Sequence, residues 1–160
     1  MNKGEEIVVR ESKVTILRWL YYILPVVVYA GIIYSISSIS YISVPKIGLQ
    51  IEDKILHTIE YFVFGFLLMR AFTFGKSNPA AKKVLIIAII AGFIYSASDE
   101  VHQHFVPGRT CEFWDWLADA LGIMAGVFIF RRIYSLETHM IHLAKSTIRI
   151  LVSSYISLGK

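Results

Sequence analysis

Residues 96–109 read SASDEVHQHFVPGR, with Asp99, Glu100, His102, Gln103 and Arg109 closing the uncharged run VLIIAIIAGFIYSAS. Acids set beside histidines suit general acid–base catalysis, divalent-metal binding or hydrogen bonding between helices. Two other stretches carry the same residue types. In DKILHTIEY, His57 stands three residues from Glu60 and four from Tyr61, so these side chains share adjoining parts of one helical face. In FWDWLADALG, Asp115 and Asp119 stand four apart. Asp99 and His102 stand three apart, as do Glu100 and Gln103.

The chemistry these residues offer is open between catalysis and binding. In a catalytic site Asp99 or Glu100 serves as general base and His102 or His57 carries the proton. Asp53, Lys54, Glu60, Tyr61, Gln103, Arg109, Asp115 and Asp119 are the candidate ligand-binding groups. No covalent nucleophile stands out. His57, Asp99, His102, Asp115 and Asp119 form a donor set of the kind Zn²⁺ or Mn²⁺ accepts. No dense signature such as H-E-x-x-H accompanies them, so no cofactor is expected and the metal stays an open alternative.

Such residues need elements to position them, and the composition says which kind. The chain has 160 residues, 56% hydrophobic and 18% charged, with a mean hydropathy of +0.59. A soluble domain carries roughly 45–50% apolar and about 25% charged residues. The apolar residues also come in blocks. A spanning helix needs about 20 of them, and four stretches qualify, at about 16–36, 55–74, 84–104 and 113–130. The expected fold is therefore an all-α integral membrane protein with four transmembrane helices, forming one membrane domain over 1–160. The first apolar run lacks a small-residue cleavage site and reads as a retained span. Beyond it, residues 133–158 place Ile133, Leu136, Met140, Ala144 and Ile148 at helical spacing among basic residues. This tail reads as an amphipathic helix along the cytoplasmic membrane surface. His139 and His142 read as surface residues and Cys111, the one cysteine, as an incidental thiol that excludes an internal disulfide.

Charge sets the expected orientation. Thirteen of the sixteen Lys and Arg residues lie before the first span, around the second loop, or after the fourth span. Basic residues stay cytoplasmic, so both termini should be cytoplasmic. Lys46, Lys54 and Arg109 fall on the outer side, with eight of the twelve acids. The second span starts there, the third ends there and the fourth starts there, so the polar groups share one depth. Ionisable groups in a span cost about 2.5–3.5 kcal/mol each at the helix centre. They should face inward and pair, or hold a cation. Small residues recur every fourth position, as Ala118, Gly122 and Gly126 and as Ala88, Gly92 and Ser96, with Gly65 four after Tyr61. This spacing lets helices approach closely in lipid. Pro107-Gly108 suits a type II turn, with the glycine at positive φ, and should aim Arg109 beside the acids. Trp19, Tyr21, Tyr22, Trp114 and Trp116 read as interface anchors.

The constellation resembles the VanZ-like family of bacterial membrane proteins. It is carried by Asp53-Lys54 with His57 and Tyr61, by Ser98-Asp99-Glu100 with Gln103, by Phe105-Val106-Pro107-Gly108-Arg109, by Asp115 and Gly122, and by the serines of the Tyr34-Ser35 to Ser38 stretch. The likeness covers about residues 16–130. It implies a four-helix domain in the bacterial cell membrane and, through the accessory protein that gives the family its name, a link to teicoplanin resistance. In one departure, Asp119 stands where the family often carries Asn, which makes this cluster more acidic.

Three functions fit these residues. One is an outward pocket that binds or acts on an envelope lipid, a wall precursor or a lipoglycopeptide. A second is an enzyme on a lipid-linked substrate, and a third a small transporter. The bilayer is the expected partner and nucleic acid is not.

Overall fold

The computed structural model describes residues 3–40, 51–74, 76, 81–109 and 112–158, with side chains over 15–40, 53–74, 76, 81–109 and 112–150. Four helices make up the fold: α1 (Lys3–Ser37), α2 (Ile51–Thr73), α3 (Lys82–His104) and α4 (Phe113–Leu158). No strand occurs among the described residues. Each helix contains a stretch long and apolar enough to cross a bilayer, over Thr15–Ser37, Asp53–Thr73, Lys82–His104 and Phe113–Ile150. The all-α membrane architecture expected from the sequence is the one observed. Its physical reason is that a helix pairs its own backbone groups where lipid offers no partner.

Two helices run further than the spans inferred from hydropathy. α1 begins at Lys3, so Pro25 lies well inside it. Proline withholds one N–H from the ladder, yet the helix continues. α4 holds 46 residues without interruption. The fourth span and the tail are one helix, not two, because no Gly or Pro occurs between Arg131 and Leu158 to end it. At 1.5 Å per residue α4 is about 69 Å long, more than twice the roughly 30 Å hydrocarbon core. Leu136, Met140 and Ile148 in its second half are exposed. Cys111 and the first loop, with Lys46, lie outside the described residues.

α2 and α4 form the most extensive pairing; α3 packs on both, and α1 lies against α2 and α3. Glycine makes the α2–α4 approach so close. A Cβ on Gly122 would collide with the Thr58 carbonyl oxygen, and one on Gly126 with that of Phe62. One on Gly65 would lie 2.5 Å from the Ile123 carbonyl oxygen. The small-residue spacing thus marks real backbone contact. Ile33, Tyr61, Met69, Ile123 and Val127 fill the core, and Leu17, Val27, Ile59, Ile94 and Leu121 point outward as a lipid-exposed face would. At the end where α2 finishes, the Arg70 guanidinium sits 4.1 Å from the centre of the Tyr21 ring and Trp19 packs on Phe74.

Candidate functional site

The alternating helix directions bring the end of α1, the start of α2, the end of α3 and the start of α4 together. His57, Asp99, Glu100, Gln103, Asp115 and Asp119 are all buried there, contributed by three helices. α1 adds Ser37, which is buried as well.

Asp99 is the most heavily bonded. Its Oδ2 accepts hydrogen bonds from Ser37 Oγ at 2.9 Å, Tyr61 OH at 3.0 Å and Gln103 Nε2 at 3.0 Å. Its Oδ1 has no hydrogen-bond partner. Three helices therefore meet on one carboxylate oxygen. Gln103 reaches it from one turn along the same helix, as the i, i+4 spacing allows.

A second unit joins α2 to α4. His57 Nδ1 lies 2.9 Å from Asp119 Oδ1, where Asp119 is fully buried. Asp119 Oδ2 has no hydrogen-bond partner. Glu100 Oε2 accepts the Glu112 backbone N–H at 3.2 Å, and its Oε1 likewise has none. His57, Glu100 and Asp119 each bring a ligand atom to within 4.8 Å of the others.

The third unit is cationic. Lys54 Nζ bonds Asp115 Oδ1 and, at 3.2 Å, Glu112 Oε2. Asp53 stands 4.0 Å away with its side chain half exposed. Thr58, between Lys54 and Phe62 on α2, reaches across to the Ala118 carbonyl at 3.3 Å. Asp53, His57 and Asp115 also bring ligand atoms within 4.8 Å, but there Lys54 already supplies a positive charge.

The remaining candidates stand at the rim or elsewhere. His102 does not join the buried units. Its ring stacks on Tyr34 at 4.4 Å, and its Nε2 lies 2.9 Å from Ser38 Oγ. Arg109 is not aimed at the acids, as the turn had suggested. Its Nη2 donates to the Ile36 carbonyl at 3.2 Å and its Nε to that of Ile39 at 3.5 Å. Carbonyls at a helix C-terminus are the negative end of its dipole and suit a guanidinium. The turn itself forms as expected, with Gly108 at φ 84° and the Arg109 N–H bonded to the Val106 carbonyl at 3.1 Å. Glu60 is half-buried toward α1, where its backbone carbonyl accepts the Tyr29 hydroxyl at 3.2 Å.

Ser37 and Glu112 belong to the cluster, although their residue types alone do not single them out. Ser37 lies within a serine-rich run and ends α1, and Glu112 stands just ahead of α4; both positions were readable as helix ends. Trp116 is not an exposed anchor. It packs edge-on against Phe93 at 6.0 Å, and its Nε1 is buried without a hydrogen-bond partner.

Beneath the cluster the core turns apolar through Phe64, Met69, Leu85 and Val127. A transport path needs polar groups at the bilayer midplane; the cluster instead occupies one end.

No curated protein and no solved structure matches the chain. The VanZ/LLP1 family model matches residues 5–135, a range that takes in all four helix ends of the cluster. Four helices of spanning length, the Asp99–Tyr61–Ser37 junction and this match over most of the sequence together make the chain a member of the VanZ-like family.

Proposed function

We propose that this protein sits in the bacterial cell membrane with both termini cytoplasmic and holds an envelope amphiphile at the outer face. That amphiphile is a lipid, a wall precursor or a teicoplanin-type lipoglycopeptide. One observation carries the reading: the four helix ends gather buried ionisable side chains at a single end of the bundle. Such groups are costly in lipid and face functional cavities by default. The family membership and the basic residues concentrated at the opposite end support it.

The test is binding of teicoplanin and of a lipid-linked wall precursor to the protein in nanodiscs. Asp99→Asn and Glu100→Gln should each weaken binding at least about tenfold, the loss typical when a supporting polar contact is removed. Expression and helical content should stay unchanged. Full affinity in both variants would sink the reading.

A second reading is favoured by the His57–Asp119 pair. An imidazole oriented by a carboxylate is the usual arrangement of a general base, and Glu100 stands beside it. Turnover of a labelled envelope lipid in proteoliposomes, lost in His57→Gln, would establish an enzyme. Stoichiometric binding without product would leave the binding reading alone.

A further inference from the structure

We propose that His57, Glu100 and Asp119 form a divalent-metal site, for Zn²⁺ or Mn²⁺, at the polar end of the bundle. The three side chains come from α2, α3 and α4 and bring ligand atoms within 4.8 Å of one another. Each is at least nine-tenths buried.

Proximity of such groups does not by itself make a site. What points to a ligand is the pair of oxygens left over. Glu100 Oε1 and Asp119 Oδ2 are buried and accept no hydrogen bond. A buried acceptor left unpaired costs about 1–3 kcal/mol, and more when charged. Elsewhere in the cluster Asp115 has Lys54. Asp99 also leaves Oδ1 unpaired, but three neutral donors hold its Oδ2 and it lies outside the trio. Among the described residues the His57 ring is the basic group that reaches this pair, 2.9 Å from Asp119 Oδ1 and within ligand distance of Glu100. A single imidazolium carries one charge against two carboxylates, whereas a divalent ion matches both.

Chemistry selects among ions. One imidazole with two carboxylates is a mixed nitrogen–oxygen set. Mg²⁺ and Ca²⁺ prefer all-oxygen surroundings, and the set contains no thiolate to select copper(I). Zn²⁺ with three protein ligands keeps a fourth position open, the arrangement of catalytic rather than structural zinc. The alternative trio of Asp53, His57 and Asp115 is disfavoured because Lys54 lies on Asp115 and would repel the ion.

The proposal shares its place with the ligand reading above and rests on it only for what the metal would serve. Metal alone is the probe, so its failure leaves that reading standing, and loss of teicoplanin or precursor binding leaves this one standing.

The experiment takes the full chain in nanodiscs, stripped with chelator and titrated calorimetrically with Zn²⁺ and then Mn²⁺. About one equivalent should bind, as a single three-ligand site requires, and Glu100→Gln and Asp119→Asn should each weaken it at least about tenfold. The tail variant His139→Gln/His142→Gln should keep it. Mn²⁺ bound to the unmutated chain should show magnetic coupling to one imidazole nitrogen, a readout that needs no variant to fold. The proposal is overturned if the unmutated chain binds no stoichiometric metal. It is overturned equally if the tail variant abolishes binding, or if the site variants fold and bind as before.

Discussion

Asp99 places three donors on one oxygen and none on the other, so its contribution to stability is divided among Ser37, Tyr61 and Gln103. Hydrogen bonds between membrane helices average about 0.6 kcal/mol because the unfolded state in lipid also finds partners. Bonds to a charged group reach about 1.5–3 kcal/mol. Tyr61→Phe should therefore cost roughly 0.5–2 kcal/mol in mixed-micelle unfolding, the smaller figure if the other two donors tighten. Combined with Asp99→Asn, the two losses should not add, since the bond is removed only once. Strict additivity would mean that the contact carries no energy. Lys54 offers a comparison at the same scale. Its side chain is 29% exposed while Asp115 is 7% exposed, so water screens one partner and not the other. Lys54→Met should cost about 1–3 kcal/mol, below the roughly 3–5 kcal/mol of a fully buried pair, because buried Asp115 loses its cationic partner while Lys54 itself is partly in water. Asp53→Asn, half exposed and 4.0 Å from the ammonium, should stay within about 0.5 kcal/mol of the parent.

Helix contacts decide whether these side chains meet at all. The α2–α4 seam rests on backbone against backbone, and backbone has nowhere to move. A Cβ on Gly126 runs into the carbonyl of Phe62, whereas one on Gly31 in α1 meets nothing within 4 Å. Gly126→Ala should cost about 1–3 kcal/mol through overpacking, and part of the His57–Asp119 contact should go with it. Gly31→Ala should be neutral or stabilising by up to about 1 kcal/mol, the gain in helix propensity. Thermal unfolding of both variants in detergent checks this, and equal losses would show that the seam is not what the glycines serve. The second half of α4 has the opposite character. Leu136, Met140 and Ile148 are exposed on a helix that has run past the bundle. Ending the chain after Ser135 should leave the melting of the remaining bundle within a few degrees of the parent, since no core residue is lost.

At the scale of the whole molecule, hydropathy made the four spans legible, and glycine spacing made the α2–α4 seam legible. The one-ended distribution of acids also showed which helix ends should meet, since Asp99, Asp115 and His57 share one depth in any up-and-down bundle. Rotational partners were not readable. Asp99 and His102 stand three apart on one helix, yet Asp99 turns to Tyr61 and His102 to Tyr34. Spacing fixes a face, but the neighbouring helix decides which edge of that face is buried. Arg109 shows the same limit, because the carbonyl end of α1 comes into reach only once the bundle has closed. The direction proposed for the cluster rests on the charge of the whole chain. By sequence position thirteen of the sixteen basic residues fall away from the polar cluster, and the proposed orientation takes that end as the cytoplasmic one. Two single-cysteine reporters in a Cys111→Ser background test this, one replacing Phe105 at the cluster end and one replacing Lys76 at the other. Both positions are exposed. A membrane-impermeant maleimide should label the Phe105→Cys chain on intact cells and the Lys76→Cys chain only after permeabilisation. The reverse pattern would turn the cluster toward the cytoplasm. Teicoplanin and outer-leaflet precursors would then never meet it, and the proposed ligand class would have to be replaced, while the metal site, which depends on side-chain geometry alone, would stand or fall on its own titration.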